Sequence, residues 1–446
     1  MKSNHWKKTA SILAVVALVV GLLAGCSGKG GNTSSTPSTP PSGSAPSESV
    51  KLVFWNNGLK STDDTGTKKK DELALFRYVK KFEEENPGVT IEVVDKPADN
   101  IATLLKAASV SKDGPDLIGL WAGGATNDFK HLLVPLDPYL TNEEKAQYSG
   151  LDIAKTDYKP DGQVQALPYN VTTYHIFYNK AAFKKAGVEL PTSVKTWDEF
   201  MKLCERLKQG GVTPLYVGEK EGYVSTWAVS ELLLDEIGPE GILKLRTGEQ
   251  KFDSPEFKKA MGTWKQVYDK KYTNKDFVTL GAWDSMQQFA DSGAAMTVNG
   301  SWTINDLTTQ LGDDLGTIQF PAISADAPYA DYLVSQPGSN ISVTKFSKYP
   351  DIAAKFAKFI TSGQFQIDYY KDTGDIPSNT SADLSQITNP ITKQALEWIK
   401  TSKTGLGFDA LISADAAGEF YKLASAVVYS KTTVDEMAKS IDAKIK

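Results

Sequence analysis

Val50-Lys51-Leu52-Val53-Phe54-Trp55 opens the stretch whose reading decides the fold. It is a short strand pattern, and the period then changes: across 71–85 (DELALFRYVKKFEEE) Leu75, Phe76, Val79 and Phe82 fall on one helical stripe. Asn86-Pro87-Gly88 stops that helix with turn residues. Val89-Thr90-Ile91-Glu92-Val93 alternates as a strand, 101–109 is again helical, and Asp116-Leu117-Ile118-Gly119-Leu120 reads as a third strand. The order β-α-β-α-β predicts a parallel sheet with helices on its faces. Ligands of such sheets sit beyond the carboxyl ends of the strands, and Trp55 and Trp121 fall at two of those ends.

Downstream, a second α/β block begins. Residues 164–167 and Tyr174-His175-Ile176-Phe177-Tyr178 read as strands, and helices follow. Thr196 and Glu199 are spaced as a capping box opening the helix that carries Cys204. Trp197, in the first turn of that helix, and Trp264 and Trp398, inside helical patterns, are expected in the core. Ala294-Ala295-Met296-Thr297-Val298 is a strand running into Asn299-Gly300-Ser301-Trp302, after which 304–311 resumes as helix. Glycine allows the sharp turn and serine can cap the new helix, so Trp302 is displayed at a strand-to-helix corner. Residues 315–321 and 341–343 read as strands, the remainder is mostly helical, and no internal repeat is visible.

The amino terminus has a separate logic. Met1 to Lys8 is basic without acids, and the apolar run from Ala10 to Ala24 is too short for a lasting membrane span, so 1–25 reads as a secretory signal. It ends Leu23-Ala24-Gly25-Cys26, which resembles the bacterial lipobox; the resemblance implies cleavage before Cys26 and diacylation of its sulfur. Residues 27–49 (SGKGGNTSSTPSTPPSGSAPSES) have no large apolar side chain to bury and read as a disordered tether. Its root-mean-square reach is about 25 Å. The remaining chain, roughly 400 residues, is long for one core and predicts two lobes.

Composition narrows the function. The formal charge of -5 becomes -8 once the three lysines of the signal are removed, which makes nucleic acid a poor partner. Beyond the signal the histidines are His131 and His175, far apart and without HExxH-like spacing, and no Gly-rich phosphate loop is present. No metal or cofactor is therefore expected. His175 lies in a strand and reads as a core residue. Cys204 is the one cysteine besides Cys26, so no intramolecular disulfide is expected.

The order of short motifs resembles the family-1 extracellular solute-binding proteins, the group that includes maltose-binding protein. The stretches that carry it are Phe82-Glu83-Glu84-Glu85-Asn86-Pro87-Gly88, Gly114-Pro115-Asp116-Leu117, Ala166-Leu167-Pro168-Tyr169, Tyr178-Asn179-Lys180, Thr196-Trp197-Asp198-Glu199-Phe200, Ala294-Ala295-Met296, Asn299-Gly300-Ser301-Trp302, Gly374-Asp375-Ile376-Pro377 and Thr433-Val434-Asp435-Glu436. The resemblance implies a type II, two-lobed periplasmic-binding-protein-like α/β fold. Hinge-linked lobes, each a central sheet flanked by helices, would close on the ligand. One lobe is expected over 50–134 plus 315–344 and the other over 135–314 plus 345–446, with crossings near 133–135 and 313–314.

A sugar ring offers an apolar face and a rim of hydroxyls, so its site needs aromatic platforms and polar side chains that fork onto adjacent hydroxyls. The predicted strand ends and loops supply both: Trp55 with Asn56 and Asn57, Trp121, Tyr169 with Asn170, Tyr223 and Trp227, and Trp283 with Asp284. By the resemblance, Trp121, Trp302, an aromatic of 223–227 and Phe420 occupy stacking positions. Asn56 and Asn57 replace charged residues of the maltose-binding relatives, and Gly124 replaces an acid, which argues against maltose itself. Asn127 or Asp128 would supply a polar contact in that acid's place, and Ser301 and Asp375 complete the candidates. Trp302 and Trp121 are expected at ligand; Trp55, Trp227 and Trp283 fit a ligand wall or packing equally.

The expected function is therefore a non-enzymatic one. A lipid-anchored monomer on the outer face of the membrane, of Gram-positive type, would capture an oligosaccharide between its lobes and present it to the permease subunits of an ABC importer. An extracellular glycosidase would need paired carboxylates in addition, and no local motif marks such a pair. A polyamine or a short peptide is the alternative ligand within the binding-protein class.

Overall fold

The computed structural model describes residues 49–63, 68–97, 100–191 and 193–445. The secretory signal, Cys26 and the tether up to residue 48 lie outside the described residues. The strands are β1 (Val50–Asn56), β2 (Val89–Asp95), β3 (Leu117–Trp121), β4 (Leu167–Pro168), β5 (Val171–Asn179), β6 (Met296–Gly300), β7 (Leu315–Gln319), β8 (Tyr332–Pro337), β9 (Ser339–Val343) and β10 (Lys403–Gly405).

The opening β-α-β-α-β reading is realised as expected. β1 runs parallel to β2 and β3, and β9 and β4 extend this first sheet in antiparallel sense, in the order β2-β1-β3-β9-β4. Alternation along β1 buries Leu52 and Phe54. The stripe of the helix Ala74–Glu85 buries Leu75, Val79 and Phe82. Phe356, on the helix Pro350–Phe359, closes this core, with its ring 5.0 Å from Phe82 and 6.4 Å from Phe54, both edge to face. Each such ring contributes about 1.5–3 kcal/mol by leaving water.

The second sheet has the order β10-β8-β5-β6, with β7 also paired to β5. Unlike the first it is built around antiparallel pairs, because β5 runs opposite to β6, β7 and β8. Its core holds Trp197 and Trp264, as expected, and the Thr196 hydroxyl accepts the Glu199 N–H at the predicted cap. His175 is fully buried between the hydroxyls of Thr173 and Thr317, and burial holds its imidazole down at about 3. Trp398 is half-buried with its ring 5.3 Å from His175.

The chain changes sheets at places other than those expected. Leu136, Tyr148, Leu151 and Val164 remain in the first core, so the chain does not leave it near 133–135. β7, assigned by the sequence reading to the first lobe, pairs with β5 in the second sheet, so 313–314 is not a crossing either. The helices Pro350–Phe359 and Gly363–Thr373, assigned to the second lobe, put Phe356, Phe365 and Tyr369 into the first core.

The chain passes between the halves from β4 to β5, from β8 to β9 and, last, ahead of the helix Pro390–Thr401, because residues 378–387 after the helix ending at Thr373 still pack on the first half. Residues 375–376 run beside the first two passages. Val171 N–H donates to the Ile376 carbonyl at 2.7 Å and Gly338 N–H to the Asn170 carbonyl at 3.2 Å. The Asn170 side chain joins the other two strands of the hinge: its amide donates to Asp375 at 2.9 Å and its oxygen accepts Ser339 N–H at 2.9 Å.

Candidate functional site

β6 ends at Gly300 and the chain turns through Ser301–Thr303 into the helix Ile304–Leu311, the corner predicted to display Trp302. The indole folds back over the glycine, where a β-carbon would lie 1.9 Å from Trp302 Cζ3. Gly300 is therefore required for close approach of the ring. Around Trp302 stand Trp227 at 5.2 Å, Tyr174 at 6.2 Å and Trp283 at 6.3 Å between ring centroids.

Tyr223 and Trp227 are one turn apart on the helix Tyr223–Leu245 and stack at 6.4 Å and 19°. Tyr421 meets Tyr223 edge to face at 5.1 Å. The six rings form a graded group, from buried Tyr174 and Trp227 through half-buried Tyr223, Trp302 and Tyr421 to Trp283, which is 52 % exposed.

Polar atoms lie at the buried end of this group. Gln336 donates to the Tyr174 hydroxyl at 3.4 Å, and its oxygen accepts Gly407 N–H at 2.7 Å. A β-carbon on Gly407 would stand 2.9 Å from Asp409 Oδ1 and 3.1 Å from Ser230 Oγ, which places these two groups beside each other. Among the described residues, Asp409 Oδ1, Ser230 Oγ and Trp302 Nε1 have no hydrogen-bond partner. Burial pushes the Asp409 carboxyl up to about 6, an effect that its backbone contacts and the nearby Ser230 hydroxyl offset only in part. Burial likewise holds the Tyr174 and Tyr421 hydroxyls well above the usual phenol range.

The first half contributes the corner after β3. Trp121 is 39 % exposed there. Behind it, Gly123 and Gly124 press on backbone: β-carbons would lie 1.8 Å from the Ala410 carbonyl oxygen and 2.0 Å from that of Ile412. Phe408, Leu411 and Ile412 belong to the second core, so this is a contact between the two halves of the molecule.

Several candidates have other work. Asn56 closes the turn to Leu59 and donates to Asp95 at 2.7 Å, leaving it no free donor. Trp55 packs toward the helix Ile101–Ser111 with the Lys96 ammonium over its ring at 4.8 Å, away from the aromatic group. Asn127 accepts Asp157 N–H at 2.9 Å, and Asp128 accepts Ala414 N–H at 2.9 Å at the start of the helix Ala414–Val428. Tyr169 is 2 % exposed in the first core, edge to face with Tyr369. Asn170 and Asp375 form the hinge tie, and Ser301 is buried against β5, accepting Thr173 N–H at 3.3 Å.

Phe420 is the clearest correction. It is 0 % exposed, with Phe408 at 4.7 Å and Phe257 at 6.2 Å, and has no open face for a sugar. Its neighbour Tyr421, half-buried, is the one that joins the ring group, against Tyr223. Asp284 is exposed beside Trp283, and buried Asn57 keeps an amide nitrogen without a partner among the described residues. The reading of the sequence missed Tyr174, Tyr421, Ser230, Gln336 and Asp409. Only Tyr174 carried a local signal, since strand alternation puts it on the face opposite His175.

Sequence comparison decides the class of this architecture. The family model described as bacterial extracellular solute-binding protein matches residues 77–396. The chain belongs to that family. This solute-binding protein is 25 % identical over 407 residues to the multiple sugar-binding protein of Streptococcus mutans, covering 87 % of each chain. It is 26 % identical over 236 residues, 51 % of each chain, to the sn-glycerol-3-phosphate-binding periplasmic protein UgpB of Salmonella paratyphi A. A solved chitin oligosaccharide binding protein superposes with a TM-score of 0.77 at 23 % identity, over 89 % of this chain and 98 % of that one. The fold is thus the type II, two-lobed solute-binding fold, and the family is one of transport receptors rather than enzymes.

Proposed function

We propose that this solute-binding protein captures an oligosaccharide against the aromatic group around Trp302 and hands it to an ABC-type permease, without catalysis. The observation that carries the reading is the group itself, in which rings continue in steps of 5–6.5 Å from Trp283 through Trp302, Trp227 and Tyr223 to Tyr421. Such a row offers platforms for more than one sugar ring, with polar atoms at its buried end. The ligands in the names of the Streptococcus mutans relative and of the chitin oligosaccharide binding protein support this class. The glycerol phosphate of the third relative fits less well, because the polar groups gathered here include the carboxyl of Asp409 and no base.

Closure follows from differential binding. A sugar touching both Trp302 and the Trp121 corner binds the closed arrangement better, and the hinge at Asn170 lets the halves move. Cleavage before Cys26 and diacylation of its sulfur would hold the monomeric receptor on the outer face of a Gram-positive membrane, with residues 27–49 as tether.

The experiment is a tryptophan-fluorescence titration of the soluble 50–446 body with chitotriose, xylotriose, raffinose and maltotriose, followed by product analysis. Saturable binding with the sugar recovered intact is expected. Shortened products would mean an enzyme, and no response to any of the four would refute the oligosaccharide reading.

A further inference from the structure

Asp409 takes no part in the packing that holds the rings, yet it stands where the two walls of the site meet. On one side, Gly407 joins it to Ser230 and Gln336, and Gln336 reaches the hydroxyl of Tyr174, whose ring is 6.2 Å from both Trp227 and Trp302. On the other side, the next residue, Ala410, carries the carbonyl against which Gly123 is pressed, two residues from Trp121. One carboxyl oxygen is buried beside the Ser230 hydroxyl, and neither atom makes a hydrogen bond of normal geometry among the described residues. A buried acceptor left without a donor is destabilising, more so when charged, and that cost is recovered when a ligand supplies the donor.

We infer that Asp409 is the specificity-determining acceptor of the site, receiving hydroxyl hydrogens from the sugar that stacks on Trp302, with Ser230 completing the fork. The inference rests on the oligosaccharide reading above and adds to it the polar residue that reads the ligand. A carboxylate accepts two hydroxyl hydrogens at once, and such charge-assisted bonds are the stronger kind. Pairing with the sugar therefore favours the ionised acid, whereas burial favours the neutral one.

The titratable groups around it are Tyr174 on β5 and Tyr421 on the helix Ala414–Val428, with Glu231 on the helix Tyr223–Leu245 acting on Tyr174 in turn. Burial favours the neutral form of all three, as it does that of Asp409.

The test is calorimetric titration of the 50–446 body with the same four trisaccharides, on the unaltered chain and on Asp409→Asn and Asp409→Glu, at pH 5 and pH 8, with melting curves for each. For any trisaccharide bound by the unaltered chain, affinity is expected to be several-fold weaker at pH 5 than at pH 8. Asp409→Asn is expected to weaken binding about 10- to 100-fold at pH 8 and to abolish the pH dependence, with partial recovery in Asp409→Glu. A cooperatively melting Asp409→Asn that binds within twofold of the unaltered chain, with the same pH dependence, overturns the inference and leaves the oligosaccharide reading standing. If that variant fails to fold, the unaltered chain decides: an affinity independent of pH overturns the inference. Absence of binding by the unaltered chain overturns both readings.

Discussion

Replacing Gly123 with alanine tests whether contact between the β3 corner and the Phe408–Ile412 segment sets the closed form. Two costs arise. Gly123 has φ 78° and ψ -122°, a backbone region that an L-residue occupies only under strain of about 1–3 kcal/mol. Its new β-carbon would also lie 1.8 Å from the Ala410 carbonyl oxygen, so the two segments must part by more than an ångström. That oxygen is backbone and cannot rotate away, so the halves themselves must separate. Opposing closure by about 3 kcal/mol lowers sugar affinity about 100-fold.

Gly187→Ala is the matched control. It has φ 66° but nothing within 4 Å of the added carbon, so it carries backbone strain alone. Both variants are expected to lose stability in denaturant melts. Only Gly123→Ala is expected to lose affinity and to scatter X-rays as a more open particle with sugar present. Unchanged affinity and an unchanged scattering curve for Gly123→Ala would refute the reasoning.

Trp302→Ala and Phe420→Ala are expected to separate site from core. The first lowers sugar affinity at least 10-fold, while the second costs about 3–5 kcal/mol of stability with affinity of the folded fraction retained; fluorescence titration and urea melts check both, and equal loss of affinity would refute the assignment of Phe420 to the core. Stability is also expected to fall as pH rises from about 5 to 8. Burial raises the Asp375 and Asp409 carboxyls to about 6, Glu219 to about 7 and Asp235 to about 8, so the native state keeps protons that the unfolded chain releases from about pH 4 upward. His175, held at about 3, acts oppositely: the unfolded chain takes up a proton below about pH 6.5 that the native state refuses. The melting temperature should therefore peak in mild acid, and Asp235→Asn should flatten its alkaline limb; an unaltered chain with no decline towards pH 8 would contradict the assigned shifts.

What was legible in the sequence was local. The change of period between Val50 and Val93 revealed β1, its helix and β2, because burial of one face imposes spacing on neighbouring residues. Thr196 and Glu199 marked a helix start, since a cap acts over three residues, and Gly300-Ser301-Trp302 marked the displayed indole, since the turn and the ring lie together in the chain. Those readings carried the fold class and one anchor of the site.

The tertiary structure decided what depends on partners remote in sequence. Asn170 became a hinge tie because Asp375, 205 residues away, accepts its amide. β7 joined the second sheet because it is paired to β5. Phe420 and Tyr421 are adjacent and both aromatic, yet about 100° of helical rotation puts one between Phe257 and Phe408 and the other against Tyr223. Asp409 has no motif around it: its place at the seam arises only when Gly407, Ser230 and Gln336 are brought together by folding. Hydrophobic period is a property of a segment, whereas a binding site is a property of which segments meet.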